Sequence, residues 1–223
     1  MELAKERKII QSEIELPKTI VFLGASTCFG IGDPIGGGFA GRFKTWYENA
    51  AEEQEIYKVY NLGIPGDGIN DMLDRISEVQ KRKPGLVILH PGCNDIMREF
   101  GLQADFKTGY EIYSSSLDEL LVEIQKLSNI IVISQLPIDQ LRTTPVYWAE
   151  HYYQESDVIR LAKLTGSKCR ELGISYIDLF SDWESKEYKL FLSEDGLHPN
   201  ENGHEYIFQK IRDRFYKMYN IHI

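Results

Sequence analysis

The sequence predicts an α/β fold: a three-layer α/β/α sandwich around a flavodoxin-like, five-stranded parallel sheet. Two observations carry this prediction. Short apolar runs alternate with segments of helical periodicity, and such alternation is typical of βα units with parallel strands and right-handed crossovers. The chain also shows neither an internal repeat nor a linker. We therefore predict a polar N-terminal lead-in over residues 1–18 and a single domain over residues 19–223.

Each predicted strand is a short run of apolar or β-branched residues that stops at a turn signal. The runs at 20–23 and 86–89 are continuously apolar, as expected for strands buried on both faces of a parallel sheet. A glycine-rich stretch over 24–38 follows the first run, and we interpret it as a functional loop or a broken helix start. The predicted strands cover about 19–23, 56–62, 86–89, 130–133 and 174–179.

The predicted helices are segments in which apolar residues recur every three or four positions. The clearest stripe runs over 106–127. Asp67 is a plausible N-cap for a helix over 69–79, which Pro84 stops. The predicted helices cover about 39–52, 69–79, 106–127 and 152–172, with a last helix after Asn200.

The composition is that of an ordinary globular protein with an acidic balance. The 223 residues carry a formal net charge of −9, which argues against a nucleic acid or an anionic membrane as the partner. Cys28, Cys93 and Cys169 are widely spaced, so we expect reduced thiols and a cytoplasmic location. The N-terminus is charged and no long apolar run follows it, so we expect neither a signal peptide nor a membrane anchor.

Polar residues and glycines gather where the predicted strands end. Ser26 follows the first strand, Gly66 the second and Asn94 the third, while Asp195 and His198 precede the last helix. Because the carboxyl ends of parallel strands share one edge of a sheet, we expect these residues to converge. The set contains each part that acyl transfer needs: a serine nucleophile, an imidazole base, a carboxylate that orients the base, and donors for an oxyanion.

With these residues in this order, the chain resembles the SGNH hydrolase superfamily, also called the GDSL esterases and lipases. The resemblance extends over about 19–215. Residues 24–27 (Gly-Ala-Ser-Thr) match the first block of the family, and 61–68 resemble the second. Residues 92–95 (Gly-Cys-Asn-Asp) resemble the third block, GxND, and 195–199 match the fifth, DxxHP.

One position departs from the family pattern. The family usually has Asp immediately before the serine, and this chain has Ala25. Because that Asp is not part of the triad, we expect the catalytic set to survive, while subfamily and substrate preference stay open. The segment 32–34 together with Gly41 and Arg42 is a candidate for partial compensation.

The resemblance implies a role for each residue. Ser26 attacks the ester carbonyl, His198 takes its proton, and Asp195 orients the imidazole. The backbone N–H groups of Ser26 and Gly66 and the side-chain amide of Asn94 form the oxyanion hole. The same residues also have ordinary structural interpretations: turn or helix caps for Ser26 and Asn94, a helix-start residue for His198, a turn for Asp195, and a positive-φ turn for Gly66.

Other residues near the predicted site have less specific signals. Phe29, Tyr147 and Trp148 are candidate walls of a substrate pocket. The long loop over 137–150, with the tyrosines at 152–153, either walls an apolar acyl or aryl pocket or simply packs.

Two residues beside the third predicted strand are expected to be structural. We expect Asp95 to bond the backbone of its loop. We expect His90, at the strand end, to be a buried residue with satisfied hydrogen bonds or a supporting residue behind the site.

We therefore predict a metal-independent serine esterase that needs no cofactor and acts on a small or medium carboxylic ester. An acyltransferase with the same triad is a close alternative. A phosphate- or nucleotide-binding module would use the glycine-rich turn, but neither GxxxxGK[ST] nor GxGxxG follows the first strand. A metal hydrolase would use Asp195, His198 and another His, and no third ligand is evident. The sequence does not predict an oligomeric state.

Overall fold

The computed structural model describes residues 15–50, 56–184 and 187–221. Residues 1–14 of the predicted lead-in lie outside these ranges, and so do the last two residues of the predicted helix over 39–52.

A parallel sheet of five strands forms the middle layer, and helices cover both of its faces, which confirms the predicted three-layer α/β/α fold. In chain order the strands are β1 (Thr19–Gly24), β2 (Lys58–Gly63), β3 (Leu86–His90), β4 (Arg98–Glu99), β5 (Asn129–Ile133), β6 (His151–Tyr152) and β7 (Ser175–Ile177). The main sheet has the order β2-β1-β3-β5-β7, which is the flavodoxin-type order. The direction of winding reverses between β1 and β3, and in such folds ligands bind at the carboxyl ends of the strands beside that point.

The long helices lie close to the predicted segments, whereas the short helix that begins at Leu179 was not predicted. In chain order they are α1 (Ser26–Phe29), α2 (Gly38–Glu48), α3 (Ile69–Asp74), α4 (Ile76–Lys81), α5 (Tyr110–Leu127), α6 (Glu155–Glu171), α7 (Leu179–Glu184) and α8 (Glu201–Met218). Short 3-10 turns occur at Asn94–Ile96 and Tyr188–Phe191. Of the helices in the described ranges, none is long and apolar enough to span a bilayer.

The predicted N-cap at Asp67 is wrong. The helix begins one residue later than that cap would place it, after Gly68, whose N–H donates to the Asp71 carboxylate at 2.8 Å. Asp67 instead forms an ion pair with Arg75. The predicted single helix is also divided at Arg75, which separates α3 from α4.

The two helical layers hold the sheet through alternate residues of β1. Val21 and Leu23 pack in the cluster that contains side chains of α5 and α6, and Ile20 and Phe22 pack in the cluster of α2 and α8. All four side chains are fully buried. Burying each one stabilises the fold by about 1.5–3 kcal/mol. Strand β1, which lies between β2 and β3, is therefore held firmly from both sides, and its carboxyl end is a rigid platform.

The sequence analysis did not predict the antiparallel ribbon formed by β4 and β6. Its two strands pair Arg98 with Tyr152 and Glu99 with His151. A pair of two-residue strands is too short to show an alternating pattern in sequence. The ribbon joins the segment after Asn94 to the end of the long loop, so it brings that loop to the edge of the sheet.

Candidate active site

Ser26 lies beyond the carboxyl end of β1, as the first residue of the single-turn helix α1. The turn that presents it needs a glycine, because a Cβ on Gly24 would lie 2.6 Å from the carbonyl oxygen of His90. Gly30, at φ +111°, ends α1 and donates its N–H to the carbonyl of Ser26 at 3.1 Å. The serine is thus fixed on a tight connection between β1 and the glycine-rich loop.

His198 and Asp195 face this serine from the turn before α8. The Nε2 atom of His198 lies 2.8 Å from Ser26 Oγ, and its Nδ1 atom lies 2.7 Å from Asp195 Oδ2. A carboxylate only accepts hydrogen bonds, so Nδ1 carries the proton and Nε2 of the neutral ring is free to accept the serine proton. The other oxygen of Asp195 accepts the backbone N–H groups of Leu197 at 2.7 Å and His198 at 2.8 Å.

These hydrogen bonds decide the charge of Asp195. Burial by itself disfavours the ionised carboxyl, but the hydrogen bonds from the ring and backbone of His198 and from the Leu197 N–H outweigh it. The pKa of Asp195 is therefore below its ordinary value. The carboxylate stays ionised at neutral pH and can hold the imidazole in one tautomer.

The local sequence explains why this turn takes its shape. Gly196 has φ +72°, and a Cβ there would lie 2.7 Å from the side chain of Arg142. After Pro199, the Asn200 side chain caps α8 by accepting the Gly203 N–H at 3.0 Å. The turn is therefore anchored at both ends, against the long loop and on a helix terminus.

Gly66 and Asn94 line the same cleft as Ser26. Gly66 has φ +90°, and Lys107 Nζ donates to its carbonyl oxygen at 2.7 Å. Asn94 begins a 3-10 turn after β3, and its Nδ2 donates to the carbonyl of Asp67 at 2.9 Å. The second and third sequence blocks are therefore hydrogen-bonded to each other at this edge of the sheet.

The predicted catalytic and oxyanion residues line one cleft of about 700 Å³. Tyr147 and Trp148 line it as well, whereas Phe29, which is 55% exposed, is not among the described residues that form its wall. The remaining wall residues are Ile31, Pro65, Met97, Glu99, Lys107, His151, Tyr153 and Leu197. Four of these eight are apolar (Ile31, Pro65, Met97 and Leu197), and Glu99 and Lys107 carry the charged groups.

Tyr153 has a more specific contact than sequence reasoning foresaw. The sequence left Tyr153 as either a pocket wall or a packing residue, and the structure places its hydroxyl 3.1 Å from Asn94 Oδ1. The sequence offered no signal for this contact, because 59 residues separate the two partners.

His90 is buried beside the site, but the expectation that its hydrogen bonds are satisfied is wrong. Neither ring nitrogen has a hydrogen-bond partner within the described residues. Burial, with a smaller contribution from nearby His204, lowers the pKa of His90 to about 4. The ring lines a small cavity of about 20 Å³ together with Ser26 and His198. Asp95, by contrast, does bond backbone, but the N–H that it accepts belongs to Ile69 at the start of α3 and not to its own loop.

Asp33 on the glycine-rich loop forms an ion pair with Arg42 on α2. Arg42 Nε donates to Asp33 Oδ2 at 2.8 Å, and Arg42 also pairs with Glu205 of α8 at 2.6 Å. The other Asp33 oxygen accepts the Gly36 N–H at 2.9 Å. This pair braces the loop that follows the serine, and its compensation for Ala25 stays a prediction.

A family model described as the GDSL-like Lipase/Acylhydrolase family matches residues 22–206. The chain belongs to this family. The match begins in the strand before Ser26 and ends in the helix after His198, so it encloses every block of the candidate site of this GDSL-like acylhydrolase. A search of curated proteins finds no match.

In the described ranges, no group of three or more His, Cys, Asp or Glu side chains is placed to hold a metal ion.

Solved structures share the fold of this GDSL-like chain. The lipase/acylhydrolase from Enterococcus faecalis is 24% identical, with a TM-score of 0.68 over 89% of this chain and 96% of that one. The acetyl xylan esterase AlAXEase is 18% identical, with a TM-score of 0.70 over 87% and 98% of the two chains. The psychrotrophic esterase EstA from Pseudoalteromonas sp. is 18% identical, with a TM-score of 0.64 over 91% and 99%.

Proposed function

We propose that this GDSL-like acylhydrolase is a serine esterase that hydrolyses a small or medium carboxylic ester through an acyl-enzyme on Ser26. One observation carries the proposal. Ser26 Oγ, the His198 ring and the Asp195 carboxylate form a continuous hydrogen-bonded chain, with distances of 2.8 Å and 2.7 Å, that opens into the cleft. The family membership supports hydrolysis of an ester, and the geometry supports these roles.

The acylation step uses the free lone pair on His198 Nε2. As Ser26 Oγ forms a bond to the carbonyl carbon, its proton passes to Nε2, and the carbonyl oxygen becomes an oxyanion. The N–H groups of Ser26 and Gly66 and one N–H of Asn94 surround the place where that oxyanion develops. When the tetrahedral intermediate collapses, the carbon–oxygen bond to the alcohol breaks, and His198 gives its proton to the leaving oxygen.

Deacylation repeats these steps with water. His198 takes a proton from a water molecule as that water attacks the acyl carbon, and the bond to Ser26 Oγ then breaks. The serine recovers its proton, and the carboxylic acid leaves. Through both steps the ionised Asp195 stabilises the imidazolium that forms on His198.

The test compares hydrolysis of p-nitrophenyl acetate, butyrate and octanoate by the wild type, Ser26→Ala and Ser167→Ala. Ser167 is a half-buried serine on α6 whose hydroxyl donates to Glu171, and it is the matched control. We expect Ser26→Ala to fall to background and Ser167→Ala to keep the wild-type rate, and the chain-length trend then measures the acyl site. We also expect a fluorophosphonate probe to label the wild type and Ser167→Ala but not Ser26→Ala. Equal rates and labelling in all three proteins would overturn the proposal, and so would a wild type that neither turns over nor labels.

A further inference from the structure

The orientation of the Asn94 amide can be assigned from its two neighbours. The carbonyl oxygen of Asp67, 2.9 Å away, can only accept, so the amide atom that faces it is the nitrogen. The amide oxygen then faces the hydroxyl of Tyr153 at 3.1 Å, and that hydroxyl must be the donor. One N–H of the amide is used by Asp67, and the second remains for a ligand in the cleft.

We infer that Tyr153 is a positioning residue for this hydrolase, which holds the Asn94 amide so that its second N–H points at the developing oxyanion. The inference rests on the proposed function. Tyr153 itself does not donate to the oxyanion, because its proton goes to the amide oxygen. Its effect is to fix which end of the amide faces the reacting carbonyl. An amide turned by 180° would direct its oxygen at the oxyanion and repel it.

The surroundings of Tyr153 suit this role. The residue is 3% exposed, and burial raises the pKa of its hydroxyl well above the ordinary value, so the donor proton is retained at neutral and alkaline pH. The Tyr153 N–H donates to the Thr143 carbonyl at 2.9 Å, and the Thr143 hydroxyl donates to the Tyr153 carbonyl at 3.1 Å. Thr143 is fully buried, so Tyr153 is clamped at its backbone as well as at its hydroxyl.

The long loop over 137–150, which contains Thr143, also contacts the turn that carries Asp195 and His198. The Asp139 N–H donates to the Gly196 carbonyl at 2.8 Å, and Arg142 Nη1 donates to the Glu194 carbonyl at 2.9 Å. The loop therefore touches the turn that holds Asp195 and, through Tyr153, the oxyanion donor. It aligns the two halves of the site relative to each other.

A double-mutant cycle tests the inference. We expect Asn94→Ala to lower kcat about 100- to 1,000-fold, and Tyr153→Phe to lower it about tenfold with KM unchanged, because a positioned donor acts in the transition state. In the Asn94→Ala background, Tyr153→Phe should cost less than about twofold, since its target is gone. Tyr176→Phe is the matched control: this tyrosine donates to the Ala162 carbonyl between β7 and α6. We expect it to keep the wild-type kcat.

The outcomes separate this inference from the proposed function. If Ser26→Ala hydrolyses p-nitrophenyl acetate as fast as the wild type, the proposed function fails. If Ser26→Ala is inactive but Tyr153→Phe is as fast as the wild type, only the positioning role is overturned. The same holds if Tyr153→Phe lowers kcat by the same factor in the Asn94→Ala background as in the wild type. Thr143→Val provides a second route if Tyr153→Phe does not fold. It should lower kcat about threefold in the wild type and have no effect in the Asn94→Ala background.

Discussion

The indole of Trp148 lies beside the imidazole of His198, with ring centroids 5.9 Å apart and planes inclined by 30°. Trp148 is 45% exposed and forms part of the cleft wall. We expect Trp148→Ala to lower kcat/KM of p-nitrophenyl butyrate about three- to tenfold, because an aromatic contact of about 0.5–1.5 kcal/mol at the base is lost. Steady-state kinetics would show the change.

Leu141 is the control for this prediction. It belongs to the same loop and is 88% exposed, and it is not among the described residues that line the cleft. Leu141→Ala should leave kcat/KM unchanged. Equal kinetics in both variants would mean that Trp148 does not assist the base.

The sequence was sufficient to predict the sheet and the convergence of Ser26, Asp195 and His198. Strand exits of a parallel sheet share one edge whatever the loops do, so residues at those exits meet once the alternation of strands and helices is recognised. The sequence did predict Trp148 as a wall of the pocket, but the contacts of Trp148 with His198 and of Tyr153 with Asn94 could not be predicted in this way. They depend on the path of an irregular loop, and no periodic pattern fixes that path.

Local competition between side chains explains the error at Asp67. Aspartate is a good N-cap residue, but the Asp67 carboxylate pairs with Arg75. The Asp71 carboxylate accepts the N–H of Gly68 instead. Such choices depend on which groups the tertiary fold brings near, so a cap cannot be assigned from residue type alone. The sequence likewise contains no sign that the His90 ring has no hydrogen-bond partner among the described residues, because that depends on which groups the fold places around the strand end.

A substitution at Gly66 tests the proposed oxyanion hole, because its effect on kcat can be compared with its effect on stability. At φ +90° an Ala is strained, although no atom lies within 4 Å of the added Cβ. We expect Gly66→Ala to lower kcat about 10- to 100-fold, because relaxing φ turns its N–H away from the oxyanion. The measurement is kcat on p-nitrophenyl acetate alongside the midpoint of thermal unfolding.

Gly173 is the matched control for that substitution. It has φ +65° and equally open space, and it lies at the end of α6. Gly173→Ala should lower the unfolding midpoint about as much as Gly66→Ala while leaving kcat unchanged. A comparable loss of kcat in both variants would show that the effect of Gly66→Ala is not local to the site.

The buried ring of His90 predicts a pH-dependent stability. Its pKa is lowered to about 4 in the fold, whereas the unfolded chain has an ordinary imidazole, so the unfolded state binds the extra proton between these two values. Stability therefore falls as the pH drops from 7 towards 4. The contribution of this ring between pH 7 and pH 5 is about 2 kcal/mol. Urea unfolding of the wild type and His90→Leu at both pH values measures it.

The difference between the two proteins isolates His90, because the lowered pKa of His204 acts in the same direction in both. We expect the loss of unfolding free energy between pH 7 and pH 5 to be smaller in His90→Leu. Parallel pH profiles would show that the ring is protonated in the fold or has gained a partner.

The ion pair of buried Asp33 with half-buried Arg42 predicts a second loss of stability on acidification, in the same direction as that of His90 but on a lower pH range. Burial opposes ionisation of Asp33, but its hydrogen bonds from Arg42 and the Gly36 N–H outweigh that effect and hold its pKa below the ordinary value. We expect Asp33→Asn to lower the free energy of unfolding at pH 7 by about 1–2 kcal/mol, because a neutral amide replaces the charged acceptor of the Arg42 and Gly36 N–H groups while Arg42 keeps Glu205. Since the ionised Asp33 stabilises the fold above its unfolded pKa, the gap should persist from pH 7 to pH 5 and narrow below about pH 4. Asp213→Asn, at an exposed position of α8, should show no such gap. A stability gap for Asp33→Asn that stays constant down to pH 3 would contradict the pairing.

The same substitution should also affect substrate binding. Because Ile31 on the braced loop lines the cleft, we expect Asp33→Asn to raise KM more than it lowers kcat.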